Sequence, residues 1–158
     1  MDLVCKVRVA GKSGLLFVEA KAHEGELDWG GKPLADDASE GSRQNHANIT
    51  AQVDKASADL NAHATPGFNL SINNHYQLAN RITYLLKLAS LGIPVVLLYL
   101  GFTGDDYFPN DYLRDDRHWQ RVMGGYLQGV VPHRFPERRF TMPGGGSLEM
   151  LIRSMPCR

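Results

Sequence analysis

Glu19 and Lys21 stand two residues apart at the end of the apolar run Leu15-Leu16-Phe17-Val18. Side chains alternate across a strand, so this carboxylate and this ammonium project to one face, about 7 Å apart along the strand. Asp2 is the third member of the set. Hard divalent cations such as Mg2+ prefer carboxylate and carbonyl oxygens and keep several waters. Two acids can therefore anchor a cation that still has room for phosphate oxygens. Such a cation lowers the pKa of a bound water, and a lysine beside it can orient the water or neutralise developing charge. The chemistry these residue types could perform together is hydrolysis of a phosphodiester in nucleic acid.

The elements that must position them follow from the hydrophobic pattern. Leu3-Val4-Cys5-Lys6-Val7-Arg8-Val9 largely alternates, Gly11-Lys12-Ser13-Gly14 supplies a short turn, and the run to Lys21 returns, so residues 3–21 read as an antiparallel hairpin. A turn centred on Gly11 to Ser13 sets Asp2 across from Lys21 to His23. In that register Asp2, Glu19 and Lys21 converge.

The order Asp2, sixteen residues, Glu19-Ala20-Lys21 resembles the PD-(D/E)xK, or restriction-endonuclease-like, nuclease superfamily. The wider string Val18-Glu19-Ala20-Lys21-Ala22-His23, followed by Tyr76-Gln77-Leu78-Ala79-Asn80-Arg81, is similar to a branch of that superfamily over most of the chain. The resemblance implies a restriction-endonuclease-like core, a mixed central β-sheet flanked by helices. It implies that Asp2, Glu19 and the backbone carbonyl of Ala20 bind Mg2+, with Mn2+ as a substitute, and that Lys21 is the catalytic lysine. Several nucleases of this type carry a Gln on the helix after the catalytic strand, which assigns Gln77 to the site. The family pattern also has a helix and a strand before the Asp-bearing strand. Their absence here implies a truncated form, with a free sheet edge that a homodimer or partner chain could complete by strand addition.

Downstream, Glu24 to Ser42 is rich in Gly, Asp and Ser and reads as a loop bordering the site. Ser42 is the expected N-cap of a peripheral helix reaching about Ala62. A stronger helix is expected over Asn73 to Leu91, where Leu78, Ile82, Leu85, Leu86 and Ala89 form an apolar stripe and Asn73, Gln77 and Arg81 lie on a polar side. Gly92 and Pro94 stop it. Arg81 has two readings, one at the site and one as partner of an acidic neighbour. Ile93 to Leu100 is continuously apolar, as in a strand covered on both faces, and completes a strand, helix, strand unit.

Gly104-Asp105-Asp106 and Pro109-Asn110-Asp111 read as turns rather than a second metal site. His118 to Gln128 reads as a helix packed through Trp119, Val122, Met123, Tyr126 and Leu127. Phe140-Thr141-Met142 and Leu148 to Met155 add a strand or short helix, separated by Gly144-Gly145-Gly146, which lacks the Lys-Ser/Thr of a phosphate loop. His23 would continue the face of Lys21 if the strand reached it. The remaining histidines, His46, His63, His75, His118 and His133, have no zinc-like spacing, and there is no nucleophile elbow.

Composition bounds these readings. A chain of 158 residues with 43% hydrophobic content suits one domain over 1–158. No apolar leader precedes the hairpin, and the longest apolar segment is too short to span a bilayer, so no membrane partner is expected. Two cysteines, Cys5 and Cys157, suit reduced thiols and a cytoplasmic location. Net charge is zero, which argues against tight nonspecific nucleic-acid binding. Arginines nevertheless collect in the last third. The expected activity is Mg2+-dependent hydrolysis of nucleic acid, DNA in the first instance, in repair, restriction or mobile-element handling. The alternative is a catalytically inactive module of the same fold that binds nucleic acid or a protein partner.

Overall fold

The computed structural model describes residues 1–105, 107 and 112–157. The hairpin forms as β1 (Leu3–Val9) and β2 (Lys12–Lys21), antiparallel. Its turn is tighter and earlier than the glycine and serine content predicts. Ala10 and Gly11 both take positive φ, 48° and 81°, giving the two-residue geometry whose twist suits a hairpin. Val9 therefore pairs with Lys12 and Leu3 with Val18. Continuing that register sets Asp2 against Glu19, not against Lys21 to His23. The expected register was displaced because an alanine, not only a glycine, accepts the left-handed conformation here.

A loop containing one 3-10 turn (Glu24–Glu26) leads to α1 (Glu40–His63). Ser39, not Ser42, caps α1: its Oγ accepts from the Ser42 N–H at 3.2 Å. Next comes α2 (Tyr76–Ser90), three residues shorter at its start than expected, because residues 71–75 are held by the 29–32 loop instead. Then follow β3 (Val95–Thr103), α3 (Asp116–Leu127), β4 (Arg139–Thr141) and β5 (Ser147–Pro156). Asp115 caps α3, its carboxylate accepting from the His118 N–H at 2.7 Å, which moves the helix start ahead of His118. The C-terminal segments, open between strand and helix in the sequence, are both strands. Of the turn segments after β3, Asp106 and residues 109–111 lie outside the described residues.

The described residues form an α/β structure: a mixed five-stranded sheet in the order β1-β2-β3-β5-β4 and three α-helices. β2, β3 and β5 are parallel, and the two outer strands run antiparallel to their neighbours. One core cluster joins Phe17, Leu97, Tyr99, Met150 and Ile152 of the sheet to Leu60 of α1, Leu78, Ile82 and Leu85 of α2, and Trp119 and Met123 of α3. Those strand residues share one face. Their alternates, among them Leu16, Val18, Leu98, Leu100 and Leu151, turn to the other face, over which no described helix packs. The continuous apolar run of β3 thus does not signify cover on both sides by helices. Val18 and Val96 on this face are still only 7% exposed. Among the described residues, no helix is long and apolar enough to cross a membrane.

Within β3, packing against the helices is tight at Gly101, where a Cβ would sit 2.7 Å from the Trp119 ring. Trp119 is fully buried and has no room to retreat. Gly101→Ala is therefore expected to destabilise the protein by about 1–3 kcal/mol through overpacking. Urea denaturation checks this, and an unchanged midpoint would mean that the indole can shift.

Candidate functional site

The C-terminal ends of β2 and β3 lie side by side, with Glu19 beside Tyr99 and Lys21 beside Gly101. Because α2 runs between them in the chain, its N-terminus returns to the same end of the sheet. Odd-numbered residues of β2 face the helices, which places Phe17, Glu19 and Lys21 in the interior at 4%, 2% and 6% exposure. Two of these are ionisable, and a buried charge is costly unless it is paired.

Pairing is what the structure supplies. Lys21 Nζ lies 3.1 Å from Glu19 Oε1, and Arg81 Nε lies 3.1 Å from Glu19 Oε2. The Met1 amino group is 3.4 Å from the same Oε2. One turn along α2 from Arg81, the Tyr84 ring meets Phe17 edge-on at 6.0 Å, so ionic and aromatic contacts fix the helix over the strand together. Burial alone pushes the Glu19 carboxyl up. Hydrogen bonds from Arg81 and Lys21 and the charges of both outweigh it, and hold the group below its ordinary 4.5. Glu19 is an anion at neutral pH.

Asp2 reaches the same place along the edge of the sheet. The Ala20 N–H donates to Asp2 Oδ2 at 2.7 Å, and the Asp2 N–H donates to the Val18 carbonyl at 3.0 Å. The Asp2 carboxylate therefore lies against the peptide unit that joins Glu19 to Ala20. In a strand the N–H and C=O of one residue point to the same edge, so the Ala20 carbonyl also faces the Asp2 side. Asp2 is exposed, in contrast to Glu19.

The structure brings Asp2, Glu19, Ala20 and Lys21 to one strand end, and adds Arg81. Gln77, one turn before Arg81 on α2, makes no hydrogen bond to any of them; its Oε1 is buried without a partner among the described residues. Of Gln77 and Arg81, it is Arg81 that touches Glu19, which joins its two readings, since the acid it partners is the one at the site. His23 does not extend the strand face, because β2 stops at Lys21 and His23 instead forms an isolated bridge with Tyr112.

Two tyrosines were missed. Tyr99, fully buried beside Glu19, has its hydroxyl pushed well above the usual phenol range by burial, by Tyr126 and by the Glu19 charge. Tyr126 on α3 is pushed up by burial and by the charges of Asp28 and Glu19, and donates to the Asp28 carbonyl at 3.2 Å. Both remain neutral phenols. The one signal was Tyr99 itself, the sole polar tip in the apolar run from Ile93 to Leu100.

Mg2+ needs only one or two carboxylates when waters and substrate oxygens complete its shell. Two carboxylates and a peptide carbonyl bordering one peptide unit fit that demand in number and kind. No group of three or more His, Cys, Asp or Glu side chains able to hold a metal occurs among the described residues, so a self-sufficient protein cage of the zinc type is not what this arrangement offers. Compared with protein-family models, curated proteins and solved structures, the chain has no match.

Because the folded carboxyl is held low, ionised Glu19 contributes stability above about pH 4.5, and that contribution is lost as pH falls through the lower folded value. Glu19→Gln strands the charges of Lys21 and Arg81 and is expected to cost about 3 kcal/mol at pH 7. In metal-free buffer the gap in urea midpoint between the two proteins should shrink steadily on acidification from pH 5 to pH 3. A gap that does not change with pH would show that the ionised form is not what the site stabilises.

Proposed function

We propose that this chain is a nuclease of the PD-(D/E)xK type with a restriction-endonuclease-like core, hydrolysing phosphodiester bonds of nucleic acid, DNA in the first instance, with Mg2+ held by Asp2, Glu19 and the Ala20 carbonyl. The observation that carries the reading is the buried, ionised Glu19 at the end of a central parallel strand, with Lys21 on one oxygen and Asp2 against the adjoining peptide. In stability a core gains little from a charged carboxylate at 2% exposure over a well-packed apolar residue, whereas a reactive centre needs the charge. Its position also suits substrate, since open sheets with parallel strands bind ligands beyond their carboxyl ends.

Each residue then has a role. Asp2 and Glu19 present anionic oxygens, and the exposed side of Asp2 is the side from which substrate would approach. Lys21 lies 3.1 Å from Glu19 Oε1 and would offer its charge to a phosphoryl oxygen when a cation held by the carboxylates takes over the neutralisation of Glu19. Arg81 keeps Glu19 deprotonated and fixes its rotamer. The Gln77 Oε1, buried and unpartnered, is an acceptor available to a water or a hydroxyl. A divalent cation bound to this set supplies Lewis acidity at phosphorus and a water of lowered pKa.

One observation favours a second reading, a nuclease-fold module that binds without cutting. Both oxygens of Glu19 already face cationic partners, and metal ligation would have to displace or share them. Purified protein incubated with plasmid and single-stranded DNA over a Mg2+ and Mn2+ series separates the two. We expect metal-stimulated cleavage, lowered about 10²- to 10⁴-fold by Asp2→Asn and by Lys21→Ala. Asn at position 2 still accepts from the Ala20 N–H, so its loss reads on charge. Cleavage unaltered in both variants would remove the assignment, and salt-sensitive binding without cleavage would select the module.

A further inference from the structure

We infer that Trp29 is a stacking platform for an unpaired base, and that the substrate engaged at this end of the sheet is single-stranded or locally unpaired nucleic acid. The inference rests on the nuclease reading for what happens at Glu19, but not for the binding itself.

Trp29 is 52% exposed, an unusual position for an indole that has neighbours able to bury it. It packs against His75, with centroids 5.1 Å apart, and edge-on against Tyr126 at 5.3 Å, while more than half of its surface faces solvent. The loop beneath it is pinned by main-chain bonds. The Trp29 carbonyl accepts from the His75 N–H at 3.2 Å, the Gly30 carbonyl from Tyr76 at 2.9 Å, and the Lys32 N–H donates to Ile72 at 2.7 Å. Asp28 accepts from the Gly30 N–H at 2.9 Å and from the Tyr126 hydroxyl through its carbonyl at 3.2 Å. Gly31 lies so close to Asn73 that a Cβ would overlap its carbonyl. His75 gives up ordinary helical geometry, at φ 48°, to sit under the indole. An exposed aromatic ring held this firmly loses little entropy when a flat partner covers it.

Its place relative to the strand end supports the same occupant. Tyr126 touches Trp29 on one side and lies 6.3 Å from Tyr99 on the other, and Tyr99 is the strand neighbour of Glu19. Adding one inter-strand spacing puts the indole within about 17 Å of Glu19. That span falls inside the footprint of about 4–16 nucleotides over which single-strand binders combine stacking with backbone contacts. Cationic groups flank the path: Lys32 Nζ stands 5.3 Å over the Tyr76 ring, and Lys21 and Arg81 end it. The nearby acids Glu24, Glu26 and Asp28 are held by internal hydrogen bonds but keep their charge, and Lys21 and Arg81 are shared with Glu19, so the base contact at Trp29 rather than phosphate attraction supplies the binding here. Burial pushes the His75 imidazole down despite the Asp28 charge, so the ring beneath the indole is neutral.

Intrinsic fluorescence tests this directly, because the other tryptophan, Trp119, is fully buried and out of a ligand's reach. The full chain in metal-free buffer is titrated with a single-stranded oligonucleotide, the same strand made abasic, and the duplex. The normal strand should quench tryptophan emission, and the abasic strand, with the same phosphates, should not. The duplex should bind more weakly. Trp29→Ala should weaken single-strand binding about 5- to 150-fold, and Trp29→Phe should restore most of it. Equal quenching by the abasic strand, or native affinity in Trp29→Ala with native urea stability, would overturn the inference. Base-dependent quenching without metal-dependent cleavage would instead reject the nuclease reading and leave the platform standing.

Discussion

A carboxylate taken out of water survives as an anion only if fixed charges replace the solvent it lost, and Glu19 imposes that condition on everything around it. Lys21 satisfies part of it from the same strand, at the natural spacing of two residues. The rest must come from another element, and Arg81 provides it from α2. This fixes the helix in rotation as well as position. With Arg81 turned to the strand, Leu78, Ile82 and Leu85 are committed to the core and Tyr84 to the edge of Phe17. One ion pair and one aromatic contact, a turn apart on the helix and two residues apart on the strand, are successive rungs of the same contact.

That requirement also accounts for where polarity is tolerated. All three helices gather on the side of the sheet that carries Glu19, and the cluster of buried residues lies there. At its C-terminal end this layer changes from apolar to ionisable within one strand pair: Phe17 and Leu97 give way to Glu19 and Tyr99, then to Lys21 and Gly101. The glycine at that step makes room for Trp119, so α3 closes over the strand end where a larger residue would hold it away. The opposite face is aliphatic through the middle of β2 and β3, at Leu16, Val18, Val96, Leu98 and Leu100, and carries charge on β5 at Glu149 and Arg153. The sheet therefore keeps a buried, paired carboxylate under the helices and leaves the ion pairs of Glu149 and Arg153 on the side that no described helix covers.

Much of this was written plainly in the residues. The hairpin, the long helix with its stripe, the apolar strand after it and the shared face of Glu19 and Lys21 all follow from periods of two and 3.6. What was not legible depended on conformations that residue type does not announce. Ala10 in a left-handed turn moved the register of the whole hairpin, and His75 in the same region delayed the start of α2. Ser39 and Ser42 are equally good caps by composition, and only the chain path chose between them. Arg81 was visible as a candidate partner for an acid, but which acid is a matter of tertiary geometry at a separation of 62 residues. Tyr126 was legible only as part of a packing stripe, and Trp29, in a polar loop, carried no pattern at all.

The strand order has a consequence for the chain as it is made. β3 occupies the middle of the sheet, yet its partner on one side, β5, is the last element in sequence. During synthesis from the N-terminus at about 5–20 residues per second, β3 is complete on the order of seconds before β5 emerges. Through that interval the hairpin, α2 and β3 can assemble Glu19 with Lys21 and Arg81, while one flank of β3 presents unpaired N–H and C=O groups beside an aliphatic surface. The nascent domain is thus chemically finished before it is structurally closed, and the final ten-residue strand acts as the seal that ends its exposure to foreign strands.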